Sequence, residues 1–294
     1  MVGDRVVVDL RTNWIPPYGS MAIPMSKADA QGAAFATALG CTDAPTELAC
    51  LRSKSPSELL HAVPWNFGGM SGTQGADWLP VVDGFVLPED PMKLFAAGSF
   101  AKVPTLLGDN ANEGSIFFAV SPTPPTDDTS YVALEEAQNP GHGAAVAAQY
   151  PAAAFNGSYT AAAAEAFGDG ALVCPARRIA RALAASGTPT YRYDFTHAVA
   201  FVVTGIGAFH SSELMFVFGN ALGGVSLRDD ELPLSKTIMD YWGAMAASAD
   251  PNGSGRLAWP KYDTANETQL VLDLTQSTES AYKKAQCDFW DGLQ

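Results

Sequence analysis

Glu113 and His210 are the residues whose types and settings point to chemistry. Glu113 stands in Gly108-Asp109-Asn110-Ala111-Asn112-Glu113-Gly114, and His210 closes Gly207-Ala208-Phe209-His210. A carboxylate can fix the tautomer of an imidazole and steady its charged form, while the imidazole takes a proton from a hydroxyl. Those are two members of a Ser-Glu-His relay. The order acid then base suits a chain in which the nucleophilic serine comes before both. No Gly-x-Ser-x-Gly occurs in the 294 residues to supply it.

The nearest approaches to such a nucleophile turn are Gly69-Met70-Ser71 and Gly224-Val225-Ser226, and neither serine is followed by glycine two residues later. No His-Gly-Gly run offers backbone amides for an oxyanion, since Gly68-Gly69 follows Phe67 and Gly223-Gly224 follows Leu222. Glu113 and His210 are 97 residues apart, so their meeting depends wholly on the fold. Of the other histidines, His61 ends a helical segment, His142 lies between glycines and His197 follows a strand pattern, which makes each a structural or solvated residue. No pair has metal-ligand spacing, and Glu213, three residues after His210, reads as its helical neighbour. No metal and no cofactor are expected.

The elements that must position the pair are legible in outline. Val103-Pro104-Thr105-Leu106-Leu107-Gly108 is an apolar run ending in a polar turn, as for a buried strand, and it places Glu113 just past the strand's carboxyl end. Pro122 to Tyr131 reads as a linker. The Ala-rich segments Ala144 to Gln149 and Ala161 to Phe167 read as helices of an insertion between strands. Pro175 fits the first turn of a helix that shares Ile179 and Leu183 on one face and stops at Gly187. Tyr191-Arg192-Tyr193-Asp194-Phe195 alternates as a strand with one covered face. Ile238, Tyr241, Trp242 and Met245 repeat at helical spacing, Asp250-Pro251-Asn252-Gly253 is a turn, and Leu270-Val271-Leu272 reads as the last strand before a helix holding Cys287. Upstream, Ser26 is expected to cap a helix from Lys27 to Leu39, with Gly40 as its stop. A second helical stretch, Leu48 to Leu60, is interrupted at Pro56, and Pro64 to Gly84 has little periodicity. Helices alternating with strands give an α/β layer.

With 47% hydrophobic and 16% charged residues the chain is globular and large enough for a substantial core. A net charge of -14 would repel phosphate backbones and anionic lipid, so no nucleic-acid partner is expected. No stretch approaches the ~20 apolar residues of a membrane span. Met1 to Leu10 carries two aspartates and lacks the basic-then-apolar design of an export signal. The four cysteines show no Cys-x-x-Cys, leaving two disulfides or four buried thiols, with three pairings open.

A longer series of residues is specific. Leu39-Gly40-Cys41 with Cys50-Leu51-Arg52 comes first, then Pro80-Val81-Val82-Asp83-Gly84, Pro88, Pro91, and Pro104 with Gly108 leading to Glu113-Gly114. Cys174-Pro175, Tyr191 to Phe195, Gly207 to His210 with Glu213-Leu214, and Phe218-Gly219 follow. Asp250-Pro251-Asn252, Trp259-Pro260, Tyr262, and Cys287 before Phe289-Trp290 complete it. In this collinear order the chain resembles, from about Gly19 to Trp290, the C-terminal part of type-B carboxylesterases, the family that includes cholinesterases and their non-catalytic relatives.

The resemblance implies a partial α/β-hydrolase fold: C-terminal strands of a mainly parallel sheet, flanking helices and a helical insertion. By it Glu113 is the triad acid, His210 the general base and a small-molecule ester the substrate. It pairs Cys41 with Cys50 and Cys174 with Cys287, and so implies an oxidising, secreted or periplasmic setting. Residues 1–18 match nothing in the family, and 19–294 read as the C-terminal part of its domain. Nucleophile turn, oxyanion loop and the strands before them have no counterpart. The expected consequence is an exposed apolar sheet edge and a chain that needs a partner. Three functional readings follow: an ester hydrolase, a non-catalytic interaction module, or a fragment of an esterase that is inactive alone. The fragment accounts best for a mismatch confined to the first residues. Trp65, Phe67 and Trp78 are candidates for a substrate pocket wall.

Overall fold

The computed structural model describes residues 22–63, 78–199, 205–221 and 224–293. They fall in two compact units, one within Gly19–Leu94 and one within Phe95–Gln294. This boundary near residue 95 was not placed by the sequence reading.

The smaller unit contains β1 (Ile23–Pro24), α1 (Met25–Ala38), α2 (Glu47–Ser53), α3 (Pro56–His61) and β2 (Val81–Val82), with β1 and β2 parallel. Helix α1 starts two residues before the expected Lys27. Pro24 precedes it and no side chain caps it, so Ser26 is inside the first turn. Gly40, at φ +68°, ends the helix as expected. Pro56 separates α2 from α3, and Ser55 and Glu58 cap α3 reciprocally. Cys41 and Cys50 are disulfide-bonded, with Cα atoms 5.6 Å apart. Most of Pro64 to Gly84, including Trp65, Phe67 and Ser71, lies outside the described residues. Helix α4 (Pro91–Ala96) leads onward.

The larger unit is built on β3 (Thr105–Asn110), β4 (Thr190–Phe195), β5 (Thr268–Leu272) and β6 (Ser277–Ser280), in spatial order β3-β4-β5-β6. The first two pairings are parallel, with Leu106 opposite Tyr191 and Phe195 opposite Leu272. The third is antiparallel. Leu270-Val271-Leu272 is therefore not the last strand. Ser277–Ser280 alternates too little apolar character to signal itself, being an exposed edge strand held by backbone pairing to β5. Among the described residues no strand pairs with the outer edge of β3.

Between β3 and β4 come α5 (Ser115–Ala119), α6 (Asp128–Gln138), α7 (Gly143–Gln149), α8 (Tyr159–Gly168) and α9 (Cys174–Ala185). They form the helical insertion. The linker ends early, because Asp127 and Ser130 cap α6 reciprocally. A single π-turn, Asp169–Val173, joins α8 to α9, and Pro175 sits in the first turn of α9. After β4 follow α10 (Leu214–Phe218), α11 (Leu232–Ser248) and α12 (Lys284–Gly292). No helix among the described residues is long and apolar enough to cross a membrane.

Strand β4 is buried at all six positions, not on one face. Its alternation separates two buried environments. Tyr191, Tyr193 and Phe195 pack with Ile238, Tyr241, Met245 and Trp259 in the main core. Each such side chain contributes about 1.5–3 kcal/mol by leaving water. Arg192 and Asp194 point to the opposite face, into a buried ionic layer. There the Arg192 guanidinium bonds Asp109, and Lys283 bonds Asp169 and Glu165. Tyr150 donates to Asp169 at 2.9 Å and accepts from the Trp290 indole N–H at 2.9 Å. Cys174 and Cys287, bonded with Cα atoms 5.0 Å apart, tie α9 to α12 beside this layer. Gly108 is required opposite Tyr193 of β4, since a Cβ there would lie 2.3 Å from the Tyr193 ring.

Candidate active site

Strand β3 delivers the acid. Its last residue, Asn110, donates its backbone N–H to Glu113 Oε1 at 2.7 Å, which folds the following turn back on the strand end. Gly114 lets that turn lie against α8: a Cβ on it would stand 1.8 Å from the Ala164 carbonyl. The Glu113 side chain is buried, with 8% of its surface exposed.

A turn after β4 delivers His210. Gly205 and Gly207 have φ of +79° and +66°, and Ser211, directly after His210, has φ +71°. Left-handed backbone at a serine costs roughly 1 kcal/mol, so the surrounding contacts must hold it. They come largely from the acid's own turn. Asn112 N–H donates to Ala208 O at 2.9 Å and Asn112 Oδ1 accepts from Ala208 N–H at 3.1 Å. Ser115 Oγ donates to Ile206 O at 2.6 Å. The Asn110 amide Nδ2 donates to Phe209 O at 2.8 Å and to the Glu213 carboxylate.

These ties bring His210 Nδ1 to 2.6 Å from Glu113 Oε2. A carboxylate only accepts, so Nδ1 carries the proton and the imidazole lone pair is on Nε2. The Phe117 ring lies 5.4 Å from the imidazole centroid and limits its rotation. A carboxylate bonded to one imidazole nitrogen in this way can orient the ring for proton transfer at the other.

Residues 15–290 match the carboxylesterase family. The chain belongs to that family. It is 30% identical over 272 residues to cocaine esterase of Oryctolagus cuniculus, covering 85% of this chain and 48% of that protein. It is 31% identical over 286 residues to carboxylesterase 5A of Mus musculus, covering 90% and 47% respectively. Cocaine esterase of Homo sapiens is 30% identical, with 90% and 49% covered. The chain thus spans about half the length of the curated relatives it matches. Membership brings the α/β-hydrolase fold, and the parallel strands β3, β4 and β5 with their flanking helices are its visible portion.

The remaining candidates are dispersed. His61 is exposed and donates from Nδ1 to Ser57 O at 2.8 Å, and His142 precedes α7. His197 is buried between two carboxylates, with Nε2 2.9 Å from Glu231 and Nδ1 3.0 Å from Asp273. This links the ends of β4 and β5 to the start of α11. Ser226 is exposed, and Trp78 is an exposed residue of the smaller unit packed edge-on against Phe35. Glu213 is more than a helical neighbour of His210, because it is buried and bound to Asn110 on β3. The sequence reading missed Asn110 and Asn112. Their signal was the spacing of two asparagines, two residues apart, at the end of an apolar strand.

Proposed function

We propose that this chain supplies the acid and general base of a serine ester hydrolase, Glu113 orienting and His210 transferring protons. The 2.6 Å contact of His210 Nδ1 with Glu113 Oε2 carries the reading. With Nδ1–H held by Glu113, Nε2 takes the proton of a serine hydroxyl as its oxygen attacks an ester carbonyl. The same proton goes to the departing alkoxide. Water then repeats the exchange and frees the carboxylic acid. No metal or cofactor enters these steps. The substrate class is a small carboxylic ester, and the two disulfides favour an oxidising compartment for the work.

The serine and the oxyanion-binding amides have no recognisable motif in these 294 residues. In our reading the chain alone forms no acyl-enzyme, and turnover needs a further portion of a carboxylesterase that supplies both. A fluorophosphonate probe tests the first half of this: the isolated chain stays unlabelled, and a labelled serine in it would refute the reading. For the second half, residues 15–290 replace the matching part of Oryctolagus cuniculus cocaine esterase. That chimera hydrolyses p-nitrophenyl acetate, and Glu113→Gln or His210→Gln each lowers kcat/KM by about 10³-fold or more. An active chimera indifferent to both substitutions would remove their assigned roles.

A further inference from the structure

The acid–base pair is held by a residue that belongs to neither partner. Asn110 is 2% exposed and ends β3, the strand that leads into the Glu113 turn. Its backbone N–H binds Glu113 Oε1 at 2.7 Å. Its side chain reaches across 99 positions of sequence to Phe209 O, the carbonyl immediately before His210, and also to Glu213, three residues after it. Main chain thus fixes the acid, and side chain fixes the turn of the base from both sides.

The chemistry at those two contacts identifies the group required. A carbonyl and a carboxylate both accept, so the position demands a donor with two contacts and no charge of its own to bury. A primary amide meets that demand, and the orientation that does so leaves Oδ1 without a partner among the described residues. A buried unpaired oxygen is costly. The arrangement accepts that cost to keep both donated bonds, the pattern expected where placement of a neighbour matters more than satisfaction of the residue itself. Asn112 and Ser115 add ties at Ala208 and Ile206, and Asn112 forms an isolated parallel bridge with Phe209, while Asn110 adds the bond to Glu213 beyond His210.

We propose that Asn110 is a positioning residue for His210: its amide sets the Phe209 carbonyl and the Glu213 carboxylate so that His210 Nδ1 points at Glu113. This rests on the acid–base reading given above. Its consequence is that the pair is pre-assembled within this chain, without a nucleophile in place.

The test is made on the full 294-residue chain, labelled with 15N in its four histidines, the His210 signals being assigned by their loss in His210→Gln. In the wild-type protein His210 shows a single tautomer protonated at Nδ1, with a downfield proton line from its bond to Glu113. Glu113→Gln removes that line. Asn110→Asp, which keeps size but loses the donor, and Asn110→Ala each broaden or abolish the line and mix the His210 tautomers. The signals of His61, His142 and His197 stay in place. Where near-ultraviolet circular dichroism shows that Asn110→Asp does not fold, Asn110→Ser, too short for either acceptor and uncharged, is read in its place. A merely structural role would lower the melting temperature without changing the tautomer. An unchanged line in a folded Asn110 variant, with the line lost in Glu113→Gln, overturns the role of Asn110 alone. A line that survives Glu113→Gln overturns the acid–base reading and this proposal with it.

Discussion

The two disulfides should differ in worth by about a factor of two, and the difference follows from where they sit in the chain. Cys174 and Cys287 close a loop with a sequence separation of 113, whereas Cys41 and Cys50 are separated by 9. In the loop-entropy picture, cross-linking at these separations restricts the unfolded chain by about 4.8 and about 2.6 kcal/mol respectively at 25 °C. Packing widens the gap. Cys174 and Cys287 are fully buried beside Val146, Tyr150 and Trp290, so alanines there also leave a void costing roughly 1 kcal/mol. The perturbations are the double substitutions Cys174→Ala with Cys287→Ala, and Cys41→Ala with Cys50→Ala. Urea unfolding without reductant, followed by tryptophan fluorescence, measures both. Of the six tryptophans, Trp242, Trp259 and Trp290 lie in the larger unit and Trp65 and Trp78 in the smaller, so both variants are made in a Trp65→Phe, Trp78→Phe background, where the signal reports the larger unit. The long-loop variant should lower the larger unit's midpoint by about 4–6 kcal/mol divided by the urea slope. The short-loop variant should leave that transition nearly unmoved, because its bridge lies within the smaller unit. Equal losses from the two variants, or a larger loss from the short loop, would refute this reasoning.

Two further outcomes are expected from the larger unit. Asp194 is buried, its Oδ1 has no partner among the described residues, and its carboxyl is held well above its ordinary range, chiefly by burial and then by Glu279 and Asp109. A raised carboxyl favours folding at acid pH and loses that contribution as pH climbs through its folded value, so Asp194→Asn should stabilise by about 1–3 kcal/mol at pH 8.5 and by little at pH 5. Urea midpoints at the two pH values check it, and an advantage that shrinks with rising pH would contradict the burial argument. Gly207→Ala combines φ +66° with a Cβ 2.0 Å from Asn112 Oδ1, so it should cost about 2–4 kcal/mol in thermal unfolding and break the Asn112–Ala208 pairing. A melting temperature within a degree of wild type would show that the turn yields freely.

Much of the larger unit was legible because its elements announce themselves locally. Leu106-Leu107 before a glycine-punctuated turn gave β3, and Pro175 with Gly187 bracketed α9. What failed to show were features that depend on a neighbour. The alternation of Tyr191 to Phe195 looked like a strand with one wet face, yet Arg192 and Asp194 are as buried as the aromatics. Period-two patterning reports two different environments, and only the fold says whether the polar one is water or an ionic layer. Strand β6 is polar and exposed, so nothing in Ser277–Ser280 marks it before β5 is there to pair with. At the site, the types and order of Glu113 and His210 were readable, but their contact required folding to close a sequence separation of 97. The spacing of Asn110 and Asn112 was ambiguous for the same reason: an asparagine after a strand ordinarily signals a turn.

The ionic layer and the acid–base pair share β3, and this explains why the strand alternates as it does. Leu107 and Asp109 carry the backbone pairing toward β4, with Thr105 N–H bonded to Pro189 O and Ala111 N–H to Phe195 O. Asp109 then faces Arg192 from a position two residues short of the turn. Burial, helped by the negative charge of Glu113, pushes its carboxyl up to about 7 despite that guanidinium. Two carboxylates close in sequence, Asp109 and Glu113, are thus kept apart by the β-strand geometry that sends one to each side of the strand end. Arg192 holds the first within the layer, and Asn110 N–H holds the second outside it. The alternation Asp109-Asn110 therefore does the sorting: the charged side chain goes to the cation, and the amide goes to the loop that carries His210. A one-residue slip of β3 against β4 would exchange these faces, placing an amide against Arg192 and a carboxylate against the Phe209 carbonyl and Glu213. Register in this sheet is consequently fixed by electrostatics at the site as well as by the apolar core, and the placement of His210 depends on both.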